Sequence, residues 1–272
     1  METDSNNSSN NKINKKSNNI NFEKVELSDH LENHHGDTSA KYIKNIIYGG
    51  LDGIITTFSI IAAAFGANLE IKMIIIMGLA NLFSDAVSMG LGEYISSFFE
   101  NLYILSEKKK ELHEYDHNHN YEIHEMEELL QNYGWEEEDS KTLIELYKSK
   151  PKYKELFIDR MVKMELGLDL PGEDYKKEMR NSGLITFFSF VIFGFIPVLN
   201  YLIFYFAGYE DQNTIFITNC FITGLTMISL GCYQAKISKQ SIVKGGIYMF
   251  FNGFLATSIA FILGYSLEKL FY

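Results

Sequence analysis

Residues 183–209 read GLITFFSFVIFGFIPVLNYLIFYFAGY and contain no Asp, Glu, Lys or Arg. Two later stretches, residues 212–235 and 245–267, are also free of these charged residue types. A helix rises about 1.5 Å per residue, so roughly 20 apolar residues cross the roughly 30 Å hydrocarbon core of a membrane. Each stretch is long enough, and we predict three transmembrane helices in this half of the chain.

Two earlier apolar blocks, residues 45–69 and 73–92, each contain one carboxylate, Asp52 and Asp85 respectively. We predict that both blocks also span the membrane. The predicted fold class is therefore an all-α integral membrane protein with five transmembrane helices. The mean hydropathy of -0.06 would suit a soluble protein, because an average hides the segregation of apolar residues into blocks.

An acidic insert separates the second predicted span from the third. Residues 100–180 hold 21 acidic and 13 basic residues, and so supply -8 of the net charge of -11. Such a surface disfavours nucleic acid as a partner and favours cations. We divide the chain into a disordered Asn-rich tail (1–40), transmembrane helices 1 and 2 (41–95), a helical acidic domain (96–180) and transmembrane helices 3 to 5 (181–272).

The basic residues of the loops predict the orientation in the membrane. Lysines precede the first span and follow the fourth, at Lys41, Lys44, Lys236, Lys239 and Lys244. The insert is also rich in lysine, whereas the loops on the opposite side hold Lys72 alone. Lys and Arg accumulate on the cytosolic side of membrane proteins. We therefore predict that the N-terminus and the insert are cytosolic.

Ionisable side chains at membrane depth are costly and are functional candidates for that reason. Asp52 lies among glycines, and Asn81, Asp85, Met89 and Glu93 recur every four residues along one stripe of the second span. Oxygen ligands with one sulfur suit a first-row divalent metal, so these five residues are the candidate transport pathway. The alternatives are a glycine packing patch around Asp52 and a methionine that only packs.

The insert repeats carboxylates at helical spacing. They fall on three predicted helices, with one methionine, at Glu107, Glu111, Glu114, Glu122, Glu125, Met161 and Glu165. Three such faces could assemble a metal site, although Glu at this spacing is most often a solvated helix face. Nearby histidines offer one Glu-x-x-His motif, Glu114 to His117, whereas di-iron bundles need two.

Four short motifs carry a family resemblance. They are GGLDGI (49–54), GLANL (78–82), SMGLGEYI (88–95) and MELGL (164–168). In these motifs the chain resembles the vacuolar iron transporter family, and the resemblance extends from about residue 42 to the C-terminus. Many relatives carry Glu where this chain has Asn81. Val162 replaces the second methionine of a family pair that begins at Met161.

The resemblance implies the fold and the activity of that family. The fold is a five-span homodimer with a cytosolic metal-binding domain between spans two and three. The activity is transfer of Fe²⁺, and in some members Mn²⁺, out of the cytosol into an internal compartment in exchange for protons. Asp52 and Met89 would form the translocation site. The ligands of the insert would be Glu111, Glu114, Glu122, Glu125, Glu165 and Met161.

The leading hypothesis is a proton-coupled antiporter that moves Fe²⁺ into the vacuole or another endomembrane compartment such as the endoplasmic reticulum. Mn²⁺, Zn²⁺ or another first-row divalent metal could also bind, and no organic cofactor is expected. The protein would then be a transporter and not an enzyme. Two alternatives remain at this stage: a membrane-anchored di-iron carboxylate oxidase, and a metal sensor that does not transport.

Overall fold

The computed structural model describes residues 36–271, and its secondary structure over that range is helical, without a strand. Residues 1–35 of the predicted tail lie outside the described residues, and the first helix already begins at Gly36. A single turn of 3₁₀ helix, Pro151–Tyr153, leads into the fifth α-helix. The α-helices are α1 (Gly36–Gly66), α2 (Ile71–His117), α3 (His119–Asn132), α4 (Glu137–Lys148), α5 (Lys154–Leu166), α6 (Tyr175–Phe206), α7 (Gln212–Ile237) and α8 (Ile242–Phe271).

Five of the described helices, α1, α2, α6, α7 and α8, are long and apolar enough to cross a membrane. This agrees with the predicted all-α membrane protein of five spans. Helix α2 has 47 residues, or roughly 70 Å at 1.5 Å per residue, which is more than twice the thickness of a hydrocarbon core. It therefore projects beyond the bilayer. We call the membrane side on which it projects the insert face, and the opposite side the far face.

Helix α1 lies at the centre of the membrane bundle and packs against α2, α6, α7 and α8. Its crossing with α6 depends on two glycines. A Cβ on Gly53 would lie 2.5 Å from the carbonyl oxygen of Phe190, and one on Gly194 would lie 2.8 Å from the carbonyl oxygen of Gly53. Without side chains at these points the two backbones come into direct contact, which fixes the part of α1 that carries Asp52.

Helices α7 and α8 pair through glycines in the same way. A Cβ on Gly231 would lie 2.6 Å from the carbonyl oxygen of Gly245, and one on Gly253 would lie 2.2 Å from the sulfur of Met227. These glycines therefore allow α7 and α8 of the same chain to pack closely against each other.

The insert is a small bundle formed by α3, α4, α5 and the projecting end of α2. Helix α5 ends at Gly167, whose φ of 66° is the left-handed conformation that favours glycine. The apolar core of the insert consists of Met126, Leu130, Ile144, Phe157, Ile158, Met161 and Val162. Tyr115 of α2 packs against this core, which holds the projecting end of α2 beside α3 and α5.

Candidate metal sites

The membrane part brings two carboxylates from different helices together. Asp52 of α1 and Asp85 of α2 are both partly buried, and Asp85 lies close enough to interact electrostatically with Asp52. The sequence predicted each as a candidate but could not show that they are neighbours. Two carboxylates that act on each other electrostatically inside a membrane bundle favour binding of a cation over an anion or a neutral solute.

One hydrogen bond orients the carboxylate of Asp85 on α2. The amide Nδ2 of Asn81 donates to Oδ2 of Asp85 over 2.6 Å, one turn apart on the helix. Met89 lies about two helical turns after Asn81, and 37% of its surface is exposed in the single chain. Three residues of the predicted stripe therefore lie on one face of α2, and one of them, Asp85, interacts electrostatically with Asp52 of α1.

A polar junction lies at the insert face of the bundle. Asn45 of α1 is buried, and its Nδ2 donates to Oε1 of Glu93 over 3.3 Å and to the carbonyl oxygen of Ser182 over 3.4 Å. It thereby joins α1, α2 and α6 beside the last residue of the predicted stripe. Sequence reasoning missed Asn45, because a single Asn near the start of a span carries no spacing signal.

In the insert, the predicted glutamates come together at the junction of α2, α3 and α5. Glu111 and Glu122 are almost completely buried, with 5% and 3% of their surfaces exposed. Glu114, Glu125 and Glu165 lie close enough to act on one or both of them electrostatically. Glu107 acts on Glu165 and also forms an ion pair with Lys110 over 2.6 Å.

Burial and mutual repulsion disfavour the ionised forms of these carboxyls. Burial is the larger cause, and neighbouring glutamates add to it, so that the pKa of Glu111 is raised to about 8 and that of Glu122 to about 7. The pKa of Glu165 is also raised, first by burial and then by Glu125. Oε2 of Glu111 has no hydrogen-bond partner among the described residues. A group of buried carboxyls that repel one another is well suited to gain from a divalent cation.

The glutamates of this cluster are not arranged around a single metal position. Among residues 36–271, no three His, Cys, Asp or Glu side chains already surround one point as metal ligands. The cluster therefore brings the glutamates into one neighbourhood, and rotation of side chains would have to complete a coordination sphere.

The predicted sulfur ligand of the insert, Met161, has a different environment from the glutamates. Met161 is fully buried in the apolar core of the insert, beside Met126 and Phe157. Val162 is buried there too, and Met164 packs against the same core. The side chain at position 161 therefore contributes to folding of the insert whether or not it also contacts a metal.

The histidines lie on another face of α2. The rings of His113 and His117 are exposed, with centroids 4.0 Å apart, and Nδ1 of His117 is 2.8 Å from the carbonyl oxygen of His113. Successive helical residues are separated by about 100°, which places both histidines at least about 120° around the helix from the buried Glu111. Di-iron bundles need two Glu-x-x-His motifs, and residues 36–271 offer the single motif from Glu114 to His117.

Comparison with known proteins gives a consistent result. A sequence profile described as the VIT family matches residues 43–265. The chain is 37% identical over 245 residues to a vacuolar iron transporter of Plasmodium falciparum (isolate 3D7), covering 89% of this chain and 88% of the relative. A vacuolar iron transporter of Toxoplasma gondii (strain ATCC 50861 / VEG) is 33% identical, with 88% and 78% covered.

The match to a more distant relative covers a similar share of the chain. Vacuolar iron transporter 1 of Arabidopsis thaliana is 28% identical over 241 residues, covering 89% of this chain and 92% of the relative. The residues matched by the family profile, 43–265, include most of each of the five membrane helices and the whole insert between α2 and α6. The chain belongs to the VIT family.

Proposed function

We propose that this protein transports Fe²⁺, with Mn²⁺ as a further cargo, from the cytosol into an internal compartment in exchange for protons. The observation that carries the proposal is the pair of carboxylates, Asp52 and Asp85, on neighbouring membrane helices. The relatives named vacuolar iron transporters support iron as the cargo. Their names also support the vacuole as the compartment, with another endomembrane such as the endoplasmic reticulum as the alternative.

In this proposal the membrane carboxylates bind the dehydrated or partly dehydrated ion. Asp52 and Asp85 supply oxygen ligands, Asn81 orients Asp85, and Met89 supplies a softer sulfur ligand that a first-row metal accepts more readily than Mg²⁺ or Ca²⁺ does. When the ion leaves, the carboxylates take up protons in its place. That alternation couples metal movement in one direction to proton movement in the other.

The insert acts in the proposal as the site that captures ions. Three of its glutamates, Glu107, Glu111 and Glu114, lie on the projecting end of α2, and the same helix continues into the membrane stripe at Glu93. The excess of lysine beside the insert face supports a cytosolic position for that face. Capture on the cytosolic side followed by release across the membrane gives the direction of transport. A homodimer is also proposed, on the basis of the family resemblance.

The test is Fe²⁺ uptake into proteoliposomes that hold the purified full-length protein, with and without an acidic interior. We expect uptake that depends on the pH gradient and is lost in Asp52→Ala, while the variant stays monodisperse and keeps its thermal unfolding transition. A matched control is Asp211→Ala, which removes a carboxylate at the exposed start of α7 and should leave uptake unchanged.

The rival functions predict different results. An oxidase would consume oxygen as it oxidises Fe²⁺, and a sensor would bind metal without moving it. Uptake that is equal in wild type and in Asp52→Ala would contradict the proposed membrane site. Oxygen consumption without uptake would favour the oxidase.

A further inference from the structure

The membrane bundle contains a second polar group of side chains, separate from the carboxylates. Thr57, Asn219 and Thr223 are each 0% exposed, and so is Tyr201. Oγ1 of both threonines, Oη of Tyr201, and both Nδ2 and Oδ1 of Asn219 have no hydrogen-bond partner among the described residues. Buried polar atoms in proteins are nearly always hydrogen-bonded, and a membrane interior offers no bulk water to replace a missing partner.

On α7, Asn219 and Thr223 lie on one buried face of the helix. Ile215, Asn219, Thr223 and Met227 are spaced by four residues, and each is at most 2% exposed. We call this face the α7 stripe. Its two ends are apolar and its two central positions are polar, so the polar positions occupy the middle of a helix contact.

The α7 stripe faces α1 at the level of Thr57. Ile215 packs in one apolar cluster with Ile61 of α1, and Met227 packs in another with Ile54. Thr57 lies between Ile54 and Ile61 on α1, just as the polar positions lie between Ile215 and Met227 on α7. The two helices therefore present their unpartnered groups to each other between two apolar layers.

Helix α6 adds the fourth member. Tyr201 belongs to the same apolar cluster as Ile215, and it lies within electrostatic range of Cys220, the neighbour of Asn219. Tyr201 thus lies beside the Ile215 end of the α7 stripe, and three helices contribute buried hydroxyl or amide groups to this part of the bundle. We call Thr57, Tyr201, Asn219 and Thr223 together the buried polar site.

The chemistry of the group selects its ligand. Nδ2 of Asn219 can only donate, Oδ1 can only accept, and the hydroxyls can do both. A metal ion would satisfy the oxygens but would face the amide donor, and no carboxylate belongs to the group to balance its charge. A water molecule donates and accepts, is neutral, and typically makes about three hydrogen bonds in a buried site.

We propose that the buried polar site binds ordered water molecules that bridge α1, α6 and α7. The site lies beyond Asp52 toward the far face, since Thr57 follows Asp52 along α1. Helix α7 is then held at this level by bridged hydrogen bonds, in contrast to the direct glycine contacts between α1 and α6. The assignment concerns water alone and does not depend on which ion the protein transports.

Single substitutions distinguish a hydrated site from a dry one by the sign of their effect. Thr57→Val and Thr223→Val keep the shape of the side chain and remove the hydroxyl. In a hydrated site each variant deprives bound water and its other partners of a hydrogen bond, and the melting temperature of the full-length protein in detergent should fall by about 2–4 °C. In a dry site the same change removes an unpartnered buried hydroxyl, and the melting temperature should rise.

Thr226→Val is the matched control on the same helix. Its hydroxyl already donates to the carbonyl oxygen of Ile222 over 2.8 Å, so loss of that group should change the melting temperature less than Thr223→Val does. Hydroxyl radicals produced by a brief X-ray pulse give a second measurement. Although Tyr201 and Met126 are equally buried, Tyr201 should be modified because water lies beside it, and Met126 should not.

Three results would overturn the assignment. One is a higher melting temperature for both Thr57→Val and Thr223→Val. Another is a Tyr201 side chain that is modified no faster than Met126 in the intact protein. The third is a melting temperature that is higher in sodium chloride than in choline chloride, with the difference absent in Thr223→Val, because that would identify a bound cation.

Discussion

At the scale of single residues, the buried glutamates of the insert make its stability depend on pH. A pKa raised to about 8 for Glu111 and about 7 for Glu122 means that folding favours their protonated forms. Their contribution to stability is fully present below the pKa of Glu in the unfolded chain, about 4.3, and is lost as pH rises through about 7 to 8. The metal-free protein should therefore become less stable between about pH 5 and pH 9.

Glu111→Gln tests this dependence. The amide cannot ionise, so the metal-free variant should unfold at a higher temperature than wild type at alkaline pH and at a similar temperature at about pH 5. Glu145→Gln, at an exposed position of α4, is the control and should follow the wild-type curve. A Glu111→Gln curve that is parallel to wild type throughout would contradict the raised pKa.

The same carboxyls predict that metal and protons compete. A divalent cation binds the ionised carboxylate and so displaces a proton from Glu111 or Glu122. For each proton displaced, the apparent affinity for the metal should fall by about tenfold per unit decrease in pH below the pKa of that glutamate. Titration of the protein with Mn²⁺ at several pH values, in weak buffer, would measure both affinity and released protons. Affinity that is independent of pH between about pH 6 and pH 8 would show that these two glutamates are not ligands.

At the scale of helices, the crossing of α1 and α6 is the contact most sensitive to substitution. Gly53→Ala would place a Cβ within 2.5 Å of a backbone carbonyl oxygen, and backbone cannot rotate away as a side chain can. We expect overpacking to cost about 1–3 kcal/mol and to lower the melting temperature by about 2–4 °C for each kcal/mol. Gly92→Ala is the control.

Gly92 is helical, and a Cβ built there meets no atom within 4 Å in the described chain. Alanine stabilises a helix by up to about 1 kcal/mol relative to glycine, so Gly92→Ala should leave the melting temperature unchanged or slightly higher. Equal losses in both variants would mean that the α1–α6 contact does not determine the effect, because helix propensity alone favours alanine over glycine.

The helices were the most predictable level of the structure. The spans follow from runs without charge, and α2 continues beyond Glu93 because neither Gly nor Pro interrupts residues 93–115. The grouping of Glu111, Glu122 and Glu165 was anticipated from helical spacing, with a solvated face as the alternative. Their burial could not be read from spacing, because it depends on how three helices pack together.

Contacts between distant parts of the chain were not predictable from pattern. The bond from Asn45 to Glu93 joins residues 48 apart, and the pairing of Gly53 with Gly194 joins α1 to α6. Asn219 and Thr223 resemble ordinary polar residues of an apolar span when only α7 is considered. Each becomes informative only when the neighbouring helix is known, because hydropathy and periodicity describe one segment at a time.

At the scale of the whole molecule, one helix connects two groups of carboxylates. Asp85 and Glu111 both belong to α2, and at 1.5 Å per residue they are roughly 40 Å apart along it. A single ion cannot contact both groups. The membrane carboxylates and the glutamates of the insert should therefore be separable by substitution, and the proposed function predicts which property each group controls.

Asp52→Ala should abolish uptake into proteoliposomes while leaving Mn²⁺ binding by the insert unchanged. The double variant Glu111→Gln with Glu122→Gln should do the reverse: high external metal should still drive uptake, but the half-saturating concentration should rise by about tenfold, as expected when about 1.4 kcal/mol of binding energy is lost. Glu127→Gln with Glu145→Gln, which removes two carboxyls of the insert at other positions, controls for general electrostatic attraction. If the Glu111 and Glu122 variant lost uptake at every metal concentration, the two groups would form one obligatory path, and the insert could not be treated as a site that only captures ions.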